Sequence, residues 1–246
     1  MLEINMKNIS KNFGGNLIIK NVSFSVKKGE VVGFLGPNGA GKTTIIKMLM
    51  NQLLPTKGVI EIFGKKILND NADYPAIMNQ IGYVPDTPIL YEGLTSREML
   101  SFVGRLYKMD ARTIHESTNE LITLLKMEEF QHKLIRNLSL GMKKKVSIAC
   151  ALIHSPRLLI LDELTNGLDP RVAREVKNLI HQLNVEKNVT CLITSHILDV
   201  IEELSDYIII INKGELVASG TINELKLQYG IKSDGNLEDI FIIATD

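Results

Sequence analysis

A glycine-rich segment between a short apolar stretch and a helical pattern constrains this sequence more than any other feature. Residues 31–35 (VVGFL) have the continuous apolar character of a strand buried on both faces of a sheet, and helical periodicity runs from Lys42 to about Leu53. The residues from Gly36 to Thr43 (GPNGAGKT) lead from the strand into the helix and fit the pattern G-x-x-x-x-G-K-[ST]. We therefore predict a strand, loop and helix unit within a parallel α/β sheet.

The residue types of this loop suit a phosphate group. Glycines let backbone N–H groups turn inward, and the helix N-terminus adds partial positive charge. Lys42 offers a point charge to the β- and γ-phosphates of a nucleotide, and the Thr43 hydroxyl is a ligand for Mg²⁺. The residues predicted to bind the nucleotide are Gly36, Pro37, Asn38, Gly39, Ala40, Gly41, Lys42, Thr43 and Thr44.

Two carboxylates follow a second apolar stretch. Residues 158–161 (LLIL) predict a buried strand, so Asp162 and Glu163 emerge at its tip, at the edge where α/β sheets bind ligands. Taken alone, an acidic pair after a strand is typical of a solvated loop or a helix cap. The phosphate-binding pattern upstream favours a catalytic interpretation, in which Asp162 holds Mg²⁺ through water and Glu163 orients or deprotonates an attacking water.

A histidine follows a third apolar stretch. Residues 189–194 (VTCLIT) predict another buried strand, and Ser195 and His196 come directly after it. We expect His196 to lie at the same edge of the sheet, where its imidazole contacts the γ-phosphate or the attacking water.

Composition excludes several classes of protein. Lys and Arg number 28 and Asp and Glu number 28, so the formal net charge is zero and the basic excess of a nucleic-acid-binding protein is missing. The apolar stretches are shorter than the roughly 18 residues of a membrane-spanning helix. The N-terminal residues lack the basic start and apolar run of a secretion signal, so we expect a cytosolic chain. Cys150 and Cys191 lack metal-ligand spacing, and we interpret them as small buried hydrophobic residues.

A further motif, LSLGM at 138–142, lies between the phosphate loop and the acidic pair and resembles the signature sequence of ATP-binding-cassette (ABC) ATPases. The resemblance covers nearly the whole chain, because the motifs of that family follow one another here in the family's order. They are ISKNFGG, LGPNGAGKTT, IGYVPDTP, LSLGM, LLILDE, NGLDP, TSH and, near the C-terminus, LEDIF. The LSLGM, NGLDP and LEDIF forms are most similar to ATPases paired with ABC-2-type permeases, among them exporters of antibiotics and peptides.

The resemblance implies a fold class and a division of the chain. The fold expected is α/β, a P-loop NTPase (RecA-like) core with an N-terminal antiparallel β-subdomain and an inserted helical subdomain. Residues 1–85 would form the β-subdomain and the first part of the ATP-binding core, 86–155 the helical signature subdomain, 156–228 the second part of the core and 229–246 a short C-terminal tail. The residue types and flanking helical patterns predict Ser96 and Ser139 as helix N-caps.

The resemblance also implies a mechanism and partners. Two ATPase subunits, either two copies or this chain and a sister ATPase, would enclose two Mg·ATP head to tail and drive a separate integral-membrane permease, as peripheral subunits at the cytoplasmic face of the cell membrane. Ser139 and Gly141 would contact the γ-phosphate held by the partner's loop. Asp169 would connect the two sites, cap the helix that begins at Pro170, or do both. Phe13 would stack on adenine, and its alternative role is core packing.

Two positions depart from the family pattern. Asp86 stands where the family has Gln or sometimes Glu. We expect Asp86 to reach Mg²⁺ through water in the catalytic site, where its charge slows chemistry or weakens nucleotide binding. The alternative is that Asp86 is a structural turn residue. Leu164 stands where the family has Pro, which leaves Glu163 less constrained. These departures leave a hydrolysis-poor regulatory subunit open as an alternative function. A soluble ABC protein that acts on ribosomes or nucleic acid is another.

Two further segments carry predictions about the surface. The lysine run at 143–145 is predicted to be the solvated basic face of an amphipathic helix, with a phosphate-binding patch as the alternative. The segment 86–102 is expected to dock a cytoplasmic helix of the permease. The apolar side chains that carry this prediction are Ile89, Leu90, Tyr91 and Leu94.

Overall fold

Two β-sheets and the helices around them make up the fold. The computed structural model describes residues 1–67, 74–163, 166, 170–195, 198–232 and 234–246. Its strands are β1 (Leu2–Phe13), β2 (Asn16–Lys27), β3 (Val31–Leu35), β4 (Lys57–Ile62), β5 (Lys65–Lys66), β6 (Ile81–Val84), β7 (Leu158–Leu161), β8 (Thr190–Thr194), β9 (Tyr207–Asn212) and β10 (Glu215–Gly220). Its helices are α1 (Lys42–Leu49), α2 (Tyr74–Met78), α3 (Ser96–Leu106), α4 (Ala111–Leu124), α5 (Leu140–Leu152), α6 (Pro170–Lys187), α7 (Leu198–Leu204), α8 (Ile222–Gln228) and α9 (Leu237–Thr245), with a 3₁₀ turn at Ile135–Asn137.

The first sheet is antiparallel and has the strand order β2-β1-β4-β5. From Val22 to Val26, every second side chain of β2 is buried, with Phe24 in the middle. This period of two is typical of a sheet that is covered on one face. The predicted N-terminal antiparallel β-subdomain is confirmed.

The second sheet has the strand order β10-β9-β3-β8-β7-β6. Its strands from β9 to β6 run parallel, and every residue of β3, β7 and β8 is buried, because both faces of the sheet are covered. The edge strand β10 pairs antiparallel with β9 through Lys213 and Gly214, whose φ values of 49° and 82° suit a tight hairpin turn.

An apolar core lies on each face of the second sheet. Phe34 and Ile160 belong to the core shared with α1 and the antiparallel sheet, whereas their neighbours Leu35 and Leu161 belong to the core shared with α3 to α9. Cys191 lies in the second of these cores, and burial raises the pKa of its thiol to about 12, as expected for a small buried hydrophobic residue. The layered α/β fold class is confirmed.

Helices α3, α4 and α5 lie between β6 and β7 along the chain and form the predicted inserted helical subdomain. Ser139 caps α5, as predicted, by accepting a 3.3 Å hydrogen bond from the backbone N–H of Met142. The prediction of Ser96 as a cap is wrong by one residue. Thr95 caps α3, because Glu98 then occupies the third helical position and its carboxylate accepts a 2.8 Å hydrogen bond from the Thr95 N–H in a reciprocal capping box.

Two features of the helices bear on the predictions. Helix α1 ends at Leu49 and not near Leu53, because Asn51 takes the left-handed conformation with φ of 51°. In the part of the chain that the structure describes, no helix is both long and apolar enough to cross a membrane.

Candidate functional site

The candidate site lies at the carboxyl-terminal edge of the parallel strands. In the parallel pairing of β3 with β8, Phe34 lies opposite Thr194, and in that of β7 with β8, Leu161 lies opposite Ile193. The segments that follow these three strands therefore begin side by side. The phosphate loop, the acidic pair and the residues after β8 share one edge, as parallel topology requires.

Glycine is required at both ends of the phosphate loop. Gly41 precedes α1 with φ of 110°, and a Cβ atom there would lie 2.4 Å from Cδ1 of Ile19. A Cβ atom on Gly36 would lie 2.4 Å from the carbonyl oxygen of Ile211. The first position needs a left-handed backbone and the second a close approach to β9, and only glycine satisfies both without displacing a neighbour.

The N-terminus of α1 is suited to an anion. Its first turn has neither a side-chain cap nor an acidic residue, so its N–H groups and the positive end of the helix dipole meet no negative side chain of the helix. The Lys42 ammonium donates a 2.7 Å hydrogen bond to the carbonyl oxygen of Gly36, and its Nζ lies 3.7 Å from Oε1 of Glu163. Lys42 therefore stands between the loop and the acidic pair.

Asp162 is buried at the tip of β7. Burial raises the pKa of its carboxyl above the ordinary value; the hydrogen bond from Thr194 opposes this, and the charges of Glu163 and Asp86 raise it further. A bound cation would reverse this unfavourable environment. Because carboxylate and hydroxyl oxygens are the donors that Mg²⁺ prefers, Asp162 and the Thr43 hydroxyl fit that ion.

Glu163 has a left-handed backbone, with φ of 47°. This conformation costs a non-glycine residue about 1–3 kcal/mol and persists only where the surroundings hold it. The Glu163 N–H donates to two atoms of Thr194, the carbonyl oxygen at 3.1 Å and the hydroxyl Oγ1 at 3.0 Å. The neighbouring strand β8 thus holds the backbone of Glu163 while its carboxylate faces Lys42.

A cavity of about 790 Å³ opens at this edge of the sheet. It brings the whole predicted phosphate loop together with Asp86 and Glu163. Its size is in the range of small-molecule sites, which is about 300–1,000 Å³. The lining residues are Ile18, Gly36, Pro37, Asn38, Gly39, Ala40, Gly41, Lys42, Thr43, Thr44, Asp86, Glu163, Asn166, Ser195, Leu198 and Phe241.

Other predicted site residues lie away from this cavity or outside the described residues. Phe13 is 46% exposed at the end of β1, with Lys11 Nζ 4.9 Å from its ring centroid, and it is not among the lining residues. Ser139 and Gly141 lie at the N-terminus of α5, where they contribute nothing to the lining of this chain's own cavity. Asp162, buried at the tip of β7, does not line the cavity either. His196, Leu164 and Asp169 lie outside the described residues.

Several lining residues were not predicted. Ile18, Asn166 and Leu198 reach the cavity only through the tertiary arrangement. Phe241 belongs to α9, near the end of the chain. The side-chain amide of Asn212 connects α9 to β9 by donating a 2.7 Å hydrogen bond to the Thr245 carbonyl oxygen. The LEDIF motif contains Phe241, but a motif alone does not place its helix beside the phosphate loop.

The prediction of a solvated basic face at 143–145 is wrong for its central residue. Lys144 is 2% exposed, and its ammonium donates hydrogen bonds to the backbone carbonyl oxygens of Glu163 at 3.3 Å and Asn166 at 2.6 Å. Lys143 and Lys145 lie nearer the surface, where they pair with Glu92 at 2.8 Å and Glu175 at 2.9 Å.

Comparison with known proteins places this architecture among nucleotide-binding subunits. The family model described as ABC transporter matches residues 19–166. The chain is 39% identical to the bacitracin transport ATP-binding protein BcrA of Bacillus licheniformis, over 91% of this chain and 71% of the relative. Its fold matches the solved structure of an ATP-binding subunit of an ABC transporter with a TM-score of 0.90 and 29% identity, over 100% of both chains. It also matches the ATP-binding cassette MJ0796 in a dimeric, post-hydrolysis state bound to ADP and Pi, with a TM-score of 0.80 and 27% identity over 89% of this chain and 98% of the other.

Proposed function

The chain belongs to the ATP-binding proteins of ABC transporters, and from this premise we propose that it hydrolyses ATP as one of two subunits that power a separate membrane permease. One observation carries the proposal. The phosphate loop, Asp86 and Glu163 line a single cavity, in which Lys42 Nζ lies 3.7 Å from Oε1 of Glu163. A phosphate-binding cation and a candidate base thus face the same space.

The loop and the first turn of α1 bind the phosphates. At the start of α1 no side chain caps the N–H groups and the first turn has no acidic residue, so this helix N-terminus suits an anion. Lys42 now donates to the Gly36 carbonyl oxygen at 2.7 Å. A phosphate oxygen offers the ammonium a charged acceptor in place of this neutral one, which makes the hydrogen bond roughly twice as strong.

Thr43, with Asp162 and Asp86 through water, would hold Mg²⁺. When bound, the ion neutralises charge on the phosphate oxygens. Asp162 is held for this purpose by Thr194, whose hydroxyl donates a 2.7 Å hydrogen bond to Oδ1.

Glu163 orients the attacking water and accepts its proton. The contact with Lys42 occupies the Glu163 carboxylate before nucleotide binds. Once Lys42 turns to a phosphate, the carboxylate is released to accept a hydrogen bond from water, so binding prepares the base. We place His196 against the γ-phosphate in the same step.

A second subunit completes each site. Ser139 and Gly141 begin α5 at the surface, where a helix N-terminus is available to the γ-phosphate on a partner. Asp169 connects the two sites in this arrangement, and Phe13 contacts adenine. The dimeric form of the MJ0796 cassette with ADP and Pi supports the arrangement. ATP favours the closed dimer because it binds between the subunits, and hydrolysis removes that bridge.

The permease docks on the segment after β6. Ile89 is 82% exposed and Tyr91 is 60% exposed, and the Tyr91 ring packs edge-on against Phe102 at 5.1 Å. Exposed apolar side chains held in a fixed geometry suit a partner helix. The protein would therefore act at the cytoplasmic face of the cell membrane. The relative named for bacitracin transport supports an ABC-2-type exporter.

Turnover of Mg·ATP by the wild type and by Glu163→Gln, with and without membranes of the source organism, tests the hydrolytic function. The substitution keeps the size of the side chain and removes the base, so we expect turnover to fall by about 100-fold or more while ATP-dependent dimers accumulate. Glu215→Gln, on the exposed end of β10, is the matched control and keeps wild-type turnover. Intact ATP binding without turnover, even with membranes, would instead support the hydrolysis-poor regulatory subunit.

Membrane capture tests the docking surface. Ile89→Ser with Tyr91→Ser removes the apolar patch, and we expect the doubly substituted protein to lose membrane association while its basal ATP turnover is retained. Val185→Ser is the control, because Val185 is 65% exposed on α6. Membrane association equal to that of the wild type would refute docking at this segment.

A further inference from the structure

Lys144 is a buried cation in a helix whose two neighbouring lysines are only partly buried. It is 2% exposed, and its ammonium donates hydrogen bonds to two backbone carbonyl oxygens, those of Glu163 at 3.3 Å and Asn166 at 2.6 Å. Burying an ammonium group costs several kcal/mol unless its contacts compensate for the lost hydration. The hydrogen bonds to these two carbonyl oxygens therefore compensate for the burial of the ammonium, and they fix the backbone that carries the oxygens.

What it holds is the backbone that presents the proposed base. Glu163 has φ of 47°, a conformation that needs support from its neighbours. On one side, Thr194 accepts the Glu163 N–H. On the other side, the Glu163 carbonyl oxygen accepts from Lys144 at 3.3 Å and from the Asn166 N–H at 3.0 Å. Lys144 thus clamps both ends of this segment from α5.

Two carboxylates also act on the same cation. Burial lowers the pKa of Lys144, and the negative charges of Asp86 and Glu163 oppose that effect. Asp86 is also connected to Lys144 through Asn166. The Asn166 side-chain Nδ2 lies 3.5 Å from Asp86 Oδ1, and the Asn166 carbonyl oxygen accepts from Lys144. Asp86 is the position where a carboxylate replaces the amide of the family pattern, so a buried positive charge stands near the unusual negative one.

We propose that Lys144 is a positioning residue for ATP hydrolysis, which fixes the backbone of Glu163 and Asn166 and offsets the charge of Asp86. The proposal rests on the hydrolytic function proposed above. Lys144 is not among the residues that line the cavity, so it acts through Glu163 and not on the nucleotide. It also ties α5, which Ser139 caps, to the backbone of the proposed base.

Steady-state ATP turnover by the full chain tests the proposal. Lys144→Met keeps the length of the side chain and removes the charge and the donors. We expect kcat to fall by about tenfold or more with KM for Mg·ATP changed by less than about threefold, because a misplaced base costs rate and not binding. Lys144→Gln restores a hydrogen-bond donor, and we expect its kcat to be about threefold higher than that of Lys144→Met.

A matched control and a charge test sharpen the result. Lys145→Met removes the neighbouring ammonium of the same helix, which pairs with Glu175 at 2.9 Å, and is expected to keep wild-type kcat. Asp86→Asn, made in the Lys144→Met background, removes the negative charge of Asp86 that the Lys144 ammonium no longer offsets. If the two substitutions acted independently, the kcat of the double variant would equal the wild-type kcat multiplied by both single-variant ratios. We expect the measured kcat to be about threefold higher than this value, because the two sites are coupled.

A second readout separates failure of this proposal from failure of the hydrolytic function. Hydrogen exchange at the Asn166 amide, which donates to the Glu163 carbonyl oxygen, is expected to be about fivefold faster in Lys144→Met than in the wild type, whether or not the protein hydrolyses ATP. If the wild type hydrolyses ATP and the Lys144 variants do so equally fast, the positioning role is overturned and the function stands. If the wild type does not hydrolyse ATP, unchanged exchange at Asn166 overturns the positioning role independently. Should Lys144→Met not fold, Lys144→Gln carries both measurements.

Discussion

The Thr194 hydroxyl donates a 2.7 Å hydrogen bond to Oδ1 of Asp162, across the neighbouring strands β8 and β7. The same hydroxyl accepts a 3.0 Å hydrogen bond from the Glu163 N–H. One side chain therefore orients both members of the acidic pair. Because Thr194 lies on a buried strand of the parallel sheet, that strand holds both the carboxylate of Asp162 and the backbone of Glu163.

Thr194→Val keeps the shape of this side chain and removes its hydroxyl. The buried Asp162 carboxylate then loses this donor, and the Glu163 N–H keeps only the Thr194 carbonyl oxygen as an acceptor, so we expect the free energy of unfolding to fall by about 1–3 kcal/mol and ATP turnover to fall by roughly tenfold. Urea denaturation and steady-state turnover measure the two effects. Thr190→Val is the matched control: Thr190 lies on the same strand, is equally buried and accepts the Gly29 N–H at 2.9 Å, away from the acidic pair. A loss of turnover in the control equal to that in Thr194→Val would contradict the orienting role.

Gly41→Ala places a Cβ atom 2.4 Å from Ile19 Cδ1, at a φ of 110°. The loop cannot keep its conformation, so we expect ATP affinity, measured by calorimetry, to fall by about 100-fold or more. Gly64→Ala is the control, since Gly64 has φ of 75° and no heavy atom within 4 Å of the added Cβ. It is expected to lower thermal stability through backbone strain while ATP affinity is unchanged. Equal loss of affinity in both variants would argue against a local effect in the loop.

His154 is expected to make stability depend on pH. Its ring stacks on Tyr107 with centroids 3.8 Å apart, and Nε2 lies 3.1 Å from the Ile81 carbonyl oxygen. Burial lowers the pKa of His154 below its ordinary value of 6.5, so the folded state keeps the ring neutral where the unfolded chain takes up a proton. The contribution of His154 to stability is therefore full above about pH 6.5 and is lost as the pH falls below it.

The substitution His154→Gln removes this titration and keeps a donor near Ile81. We expect the free energy of unfolding of the wild type, measured by urea titration, to decrease from pH 7 to pH 5 more steeply than that of His154→Gln. His181→Gln, on the exposed side of α6, is expected to leave the wild-type slope unchanged. Parallel slopes for the wild type and His154→Gln would show that another group causes the pH dependence.

Arg157 compensates a buried carboxylate at the opposite edge of the parallel sheet. Its Nη2 lies 3.0 and 3.1 Å from the two carboxylate oxygens of Glu3, which is 1% exposed, and its guanidinium stacks on Phe63 at 4.6 Å. Arg157→Met leaves Glu3 without its cation, and we expect a loss of about 2 kcal/mol by urea denaturation, less than for a fully buried pair because Arg157 is partly exposed. Lys20→Met, which removes the exposed pair with Glu215, is expected to have no measurable effect. Equal losses in the two variants would show that burial of Glu3 is not the cause.

Local chemistry made much of the fold predictable. The glycines at Gly36 and Gly41, the hairpin at Lys213 and Gly214 and the cap at Ser139 depend on backbone conformations and hydrogen bonds within a few residues. The α/β class follows from strands that are apolar throughout, because only a sheet covered on both faces buries them. The one-residue error at Ser96 arose because Thr95 and Ser96 are both good caps, and the choice depends on which of them places Glu98 at the third position.

The sequence by itself determined the phosphate loop and the acidic pair, since each needs only a strand end, a few adjacent residues and the chemistry of their side chains. The tertiary structure alone decided that Phe241 lines the same cavity and that Lys144 is buried beneath Glu163. Phe241 reaches the site because α9 packs beside β9, about 200 residues along the chain from the phosphate loop. Lys144 belongs to a run of three like residues that have the same chemistry. Only the tertiary structure distinguishes it, because it brings the carbonyl oxygens of Glu163 and Asn166 against the ammonium of this one lysine.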